Sequence, residues 1–244
     1  MGRGSSTAGV NGRVITGIMA GLIFVLAGWL SISAAQLRWG DACAGGFDES
    51  SCVLIQDHLY DFVLPVEPWV PIAGAAELAG LSYILVALAL GLVFATVRSS
   101  WWSRLLQSLL VLSALMFGVT TLLSGRAGVP VEPATSIAAW WMFALTIGGL
   151  MLLVALIGLD SSGPGADSLL PPIAWVVWAG LLLLAAPLPE YIWISVLLGY
   201  TSHDTTPWTG AGAGVLVALA GLVLIAGVIR NAVRKTRRAQ AAAR

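Results

Sequence analysis

VITGIMAGLIFVLAGWLSISAAQ, residues 14–36, runs for 23 positions without one charged side chain. A helix needs about 20 apolar residues to cross about 30 Å of hydrocarbon, so this stretch reads as a membrane span. The rest of the chain repeats the pattern. Of its 244 residues 58% are hydrophobic and 10% are charged, whereas soluble globular chains carry roughly 25% charged residues. The fold class that follows is an all-α polytopic membrane protein, a single transmembrane helical domain over residues 1–244.

Six spans are expected: Val14–Gln36, Pro71–Val97, Leu105–Leu123, Ser136–Leu159, Leu169–Ala186 and Gly210–Ile229. The fifth is the weakest. It opens on Pro171-Pro172, tolerable in a first turn where the missing N–H is not needed, and stops at Pro187-Leu188-Pro189-Glu190. The apolar run Tyr191–Gly199 that follows is too short to cross alone, which leaves two readings of Leu169–Gly199: one kinked span, or a span plus an interfacial helix. The first span is read as a retained helix, because it is longer than the roughly 7–15 apolar residues of a signal peptide.

Basic residues orient the bundle. With six spans and both termini cytoplasmic, the inner segments hold ten of the twelve basic residues, among them Arg98, Arg104 and the tail 230–244, and the outer loops hold Arg38 and Arg126. The carboxylates of Asp41, Asp48, Glu49, Asp57, Asp61, Glu67, Glu132, Glu190 and Asp204 fall outside. The net charge of zero therefore combines a basic inner face with an acidic outer one. The tail RNAVRKTRRAQAAAR suits anionic lipid better than nucleic acid. One lysine against eleven arginines, with abundant Ala and Gly, points to a GC-rich bacterial genome and an inner-membrane setting.

An outer cap is expected from residues 37–70 and 187–209. Cys43 and Cys52, the chain's two cysteines, lie in its first loop on the oxidising side, where a disulfide persists. Closing this loop should contribute on the order of 2–3 kcal/mol. Trp39-Gly40-Asp41-Ala42-Cys43 with Cys52 resembles the first-loop signature of claudin-type proteins over about 14 residues. That family has four spans rather than six, and the likeness reads as a shared way of stapling a loop after a first helix. The pair also resembles the loop cysteines of vitamin K epoxide reductases, which additionally need an intramembrane CxxC that this chain lacks.

LIQDHLYDF (54–62) is expected to be the core of a short amphipathic helix, Leu54–Val63. Ile55, Leu59, Phe62 and Val63 share one side, Gln56, Asp57, Tyr60 and Asp61 the other, and His58 lies on the border. At i,i+3, His58 and Asp61 can hydrogen-bond, which would raise the histidine's pKa.

Four outer residues form a candidate metal set: His58, Asp61, His203 and Asp204, joined in some readings by Asp57, Glu67 or Glu190. Imidazole with carboxylate suits a divalent ion such as copper or zinc, but no HxH, HxxxH or HExxH spacing is present. The plainer reading is solvated or locally bonded loop residues, and no cofactor is expected. Glu77 is the one carboxylate drawn inside a span, where it would face a bundle interior or a water cavity unless it is interfacial. Gly17, Gly21 and Gly28 align on the first span, and Gly210, Gly214 and Gly221 on the last, allowing close backbone approach within the bundle or to a partner.

No nucleotide loop, haem spacing, CxxC or hydrolase elbow is present. The expected function is a non-enzymatic membrane subunit that assembles with other integral membrane subunits or with itself, sits among membrane lipids, and presents an acidic outer cap. The alternatives are a small transporter or channel component using Glu77 and the broken fifth span, or a metal-binding or redox-linked enzyme subunit using the outer His and Asp residues.

Overall fold

The structure is a computed structural model that describes residues 5–63, 65–97, 101–131, 149, 169–200 and 204–242. Among these residues it is helical, with no strand. The elements are α1 (Ser5–Trp39), α2 (Ser50–Leu54), α3 (Ala75–Thr96), α4 (Trp101–Ala127), α5 (Pro172–Leu184), α6 (Pro187–Leu198) and α7 (Ala211–Ala242). Four helices are long and apolar enough to cross a membrane: α1, α3, α4 and α7. The pair α5 and α6 passes the same test only together. The expected span Ser136–Leu159 lies outside the described residues.

Helix α1 shows how the bundle is built. Gly17, Ala20, Gly21, Phe24, Ala27, Gly28, Ala34, Ala35 and Arg38 are buried at three- and four-residue steps, the spacing of one helical face. The opposite face exposes Ile15, Met19, Leu22, Leu26 and Trp29. In water such a face would be costly, and in lipid it is the expected one. Helix α4 inverts soluble amphipathicity outright. It buries Ser103, Gln107, Ser113, Thr120, Thr121 and Ser124 while exposing Leu105, Leu109, Leu112, Val119 and Leu123. Polar groups turn inward when the surroundings cannot hydrogen-bond.

The backbones of α1 and α7 meet along their glycines. A Cβ at Gly21 would stand 2.8 Å from the Gly221 carbonyl oxygen, one at Gly221 2.5 Å from that of Gly21, and one at Gly28 would collide with the Gly214 carbonyl. Gly80 of α3 and Gly118 of α4 make a second such seam, each 2.7 Å from the other's carbonyl by the same measure. Gly210 differs from its expected place. It precedes α7 with φ of 90° and presses against Phe62 and Ala35, so it is a turn glycine of the cap and not a helix-packing one.

The fifth segment breaks. Helices α5 and α6 diverge by 85°, with Ala186 extended between them and Pro187 opening the second. Trp193 of α6 donates Nε1–H to the Leu184 carbonyl at 2.8 Å, satisfying a C-terminal carbonyl that the break leaves without a helical partner.

Candidate functional site

At one end of the bundle, α1 and the segments 40–72 and 204–210 close into a cap around Trp39, Phe62, Cys43 and Cys52. The Cys43–Cys52 disulfide is formed, with Cα atoms 4.6 Å apart. The buried stripe of α1 does not end at its apolar residues. One turn past Ala34 it delivers Arg38, 3% exposed, into the cap.

Arg38 organises what surrounds it. Its Nη1 donates to Asp61 Oδ1 at 2.6 Å. Nε and Nη2 donate to the Ile55 carbonyl at 3.1 and 2.8 Å, and Nη2 also to the Asp57 carbonyl at 3.2 Å. The guanidinium lies 4.2 Å over the Trp39 ring. Sequence reasoning took Arg38 for an ordinary outer-loop charge. The signal that locates it is its register, four residues beyond Ala34 on the buried face.

Arg38 also explains why the amphipathic helix expected over Leu54–Val63 is not formed. Helix α2 ends at Leu54, and His58–Tyr60 makes only a single 3₁₀ turn. A helix through this stretch would use the carbonyls of Ile55 and Asp57 for its own bonds; the guanidinium takes that of Ile55 and shares that of Asp57 with the Tyr60 N–H of the 3₁₀ turn. Asp57 is extended, with ψ of 140°, and its side chain accepts from Leu59 N–H, the local bonding that stops helices at aspartate. Gln56, expected on the water-facing side, is 0% exposed and donates to the Phe47 carbonyl at 3.1 Å and to Tyr200 Oη at 3.2 Å.

His58 joins the two halves of the cap. Its Nδ1 lies 2.7 Å from Asp61 Oδ2 and its Nε2 2.6 Å from Asp204 Oδ1. Its backbone N–H donates to Asp204 Oδ2 at 3.0 Å, and Thr205 N–H donates to the Gln56 carbonyl at 2.7 Å. Thr205 Oγ1 donates to Asp61 Oδ1 at 3.1 Å, and Tyr191 Oη to the Asp204 carbonyl at 3.0 Å. Arg38, Asp61, His58 and Asp204 thus form one alternating chain of charge.

Of the candidate metal residues, His58, Asp61 and Asp204 meet, and His203 lies outside the described residues. Both ring nitrogens of His58 face carboxylates, an arrangement that calls for two ring protons, whereas a metal would need one nitrogen's lone pair. Among the described residues no group of three or more His, Cys, Asp or Glu side chains is placed to hold a metal ion. Partial burial disfavours the proton on His58. The hydrogen bond and charge of Asp61 and the charge of Asp204 outweigh that burial and the repulsion of Arg38, so the pKa is raised above the ordinary imidazole value. A raised folded-state pKa stabilises the fold fully below the ordinary value of about 6.5, and the benefit is lost as pH rises through the folded value. The ring is 65% exposed, which keeps the effect under about 1 kcal/mol. Thermal midpoints measured across neutral pH should therefore fall modestly on the alkaline side, and His58→Gln should flatten that dependence. An unchanged slope in the variant would show that another group sets it.

Glu77, drawn inside a span, stands at the start of its helix. It is the third residue of α3, in the first turn, half-buried against Gly125 of α4, where a carboxylate complements the helix N-terminus. The span drawn from Pro71 begins later because 65–74 runs as non-helical backbone into Gly74, whose φ of 81° is a left-handed conformation suited to glycine.

Glu190, one of nine carboxylates expected on the outer side, is 4% exposed. Its Oε1 accepts from the N–H groups of Gly210 at 2.8 Å and Ala213 at 2.6 Å, so α6 supplies the N-terminal cap of α7. Between Glu190, the loop 57–68 and the Arg38–His58 chain lies a cavity of about 600 Å³. Comparison with protein families, curated proteins and solved structures gives no match.

Proposed function

We propose that the protein is a non-enzymatic integral membrane subunit whose rigid, acidic cap, on the outer side of a bacterial inner membrane, is a recognition surface for other membrane proteins. The observation that carries this reading is the continuous tie across the cap. Arg38, Asp61, His58 and Asp204 lock residues 146 positions apart onto a disulfide-stapled loop. Such locking reduces the ordering cost of association and keeps a surface in one shape for a partner. Apolar side chains are exposed at this end of the bundle: Leu54 is 61% exposed, Val66 49% and, in the turn after α4, Val129 55%. Exposed apolar groups rimmed by polar ones suit a protein contact. The small-residue faces of α1 and α7 are engaged with each other and are not free for a partner.

The test is photocrosslinking in native membranes from a reactive residue at Leu54 or Val129, with Met19 on the lipid face of α1 as control. A discrete protein adduct from the cap positions, missing from Met19, is the expected result. Adducts from the cap to nothing but lipid, together with a monodisperse lone chain after gentle detergent extraction, would overturn the reading.

A further inference from the structure

The cavity behind the cap has its own chemistry, independent of any protein partner. Arg38 cannot serve an anion there, since it is buried, paired with Asp61 and bonded to two carbonyls. His58 is likewise matched by Asp204. With those two pairs cancelled, the acidic groups left on the cavity wall among the described residues are Asp57, Glu67 and Glu190. Glu190 is the informative one. Its Oε1 holds both α7 amides, and its Oε2 has no partner among the described residues although the side chain is more than nine-tenths buried. Glu190 lines the cavity, so that oxygen keeps its acceptor capacity for a donor that enters it. The remaining wall is largely apolar and includes Phe62, Val66, Leu188 and Tyr191. Aromatic faces also favour a cation. About 600 Å³ falls within the range of roughly 300–1,000 Å³ typical of small-molecule sites.

The geometry points to a binding site for an organic ammonium ion with an apolar body, its N–H groups donating to Glu190 Oε2 and its body lying against Phe62, Val66 and Leu188. This goes beyond the assembly role and does not rest on it. Two sources carry that chemistry: a soluble amine, or the amino headgroup of a lipid reaching in beside α6.

The experiment uses the full chain in phosphatidylcholine nanodiscs, titrated calorimetrically with phenethylamine and, separately, with phenylpropionate, which has a similar body and the opposite charge. Saturable binding of the amine alone is expected. Glu190→Gln keeps an acceptor oxygen for Gly210 and Ala213 and should weaken amine binding by about tenfold or more through loss of the charge. Leu188→Trp, which fills the cavity and leaves every carboxylate in place, should abolish binding and carries the test if the Glu190 variant does not fold. Repeating the titration with phosphatidylethanolamine in the nanodiscs separates the sources: competition assigns the lipid headgroup, and undiminished binding assigns a soluble amine. No saturable binding of phenethylamine to the wild type, equal binding of phenylpropionate, or full affinity in a folded Glu190→Gln or Leu188→Trp variant would overturn the proposal.

Discussion

Replacing Arg38 with methionine is expected to destabilise the protein by about 3–5 kcal/mol, the cost of removing one partner from a buried ion pair. Methionine preserves much of the apolar stem, so the loss isolates the guanidinium. Three groups lose a donor at once. Asp61 loses its 2.6 Å partner, the Ile55 carbonyl loses both of its guanidinium bonds, and the Asp57 carbonyl is left with the Tyr60 N–H alone. A buried acceptor left unmade costs about 1–3 kcal/mol by itself. The measurement is thermal unfolding in detergent followed by tryptophan fluorescence, because Trp39 and Trp69 both report on the cap. Trp69 donates Nε1–H to the Asp61 carbonyl at 2.7 Å, so its emission should shift when Asp61 is released. Arg126→Ala is the control. Arg126 is exposed, and such surface changes stay within about 0.5 kcal/mol. If the two variants melt alike, Arg38 is not the organiser of the cap.

The second large effect belongs to the α1–α7 seam. Gly28→Ala should destabilise the bundle by about 3 kcal/mol or more, at or beyond the usual range for overpacking. The added Cβ meets the Gly214 carbonyl and stands 2.7 Å from the Ala218 backbone nitrogen. Neither neighbour is a flexible side chain that can step aside, so relief requires the helices to separate along their length. Separation would also loosen Phe24, Val217, Ala220 and Leu224, which share the same core. Gly91→Ala supplies the comparison, since nothing lies within 4 Å of its Cβ position and alanine is the better helix former. A mid-helix glycine in open space should tolerate or gain from the change. Unfolding in a denaturing detergent should place Gly28→Ala well below wild type and Gly91→Ala at or above it. Similar behaviour of the two would mean that α1 and α7 do not touch backbone to backbone.

The opposite outcomes expected at these two glycines show why some of this architecture is legible from sequence. Gly17, Gly21 and Gly28 recur on one helical face, as do Gly214 and Gly221, and a face of small residues inside an apolar run has few uses other than close packing. Which face they meet is a different matter. A stripe on one helix fits several others equally well, and the pairing of α1 with α7, about 190 residues apart, depends on every intervening helix.

The cap shows the division more sharply. Its disulfide was readable because the chain has two cysteines in one short loop. LIQDHLYDF carries a sound amphipathic pattern and still does not form the helix. Helical periodicity assumes that each carbonyl is free to bond four residues on, and here Arg38, arriving from α1, takes that of Ile55 and competes for that of Asp57. Glu190 was hidden for the same kind of reason. Burial under the N-terminus of α7 distinguishes it from the other described carboxylates, and burial depends on tertiary contacts.

By itself, then, the sequence determined the solvent and the local inventory. Long uncharged runs permit only membrane helices, because hydrocarbon offers backbone groups no partner. The glycine stripes and the paired cysteines act over short distances and needed no three-dimensional information. Only the tertiary structure decided which charges meet. Arg38, Asp61, His58 and Asp204 come from segments separated by up to 166 positions, and their alternation of sign has no period to read. Burial and pairing together set the energy of a charge, and both exist only after the helices have packed.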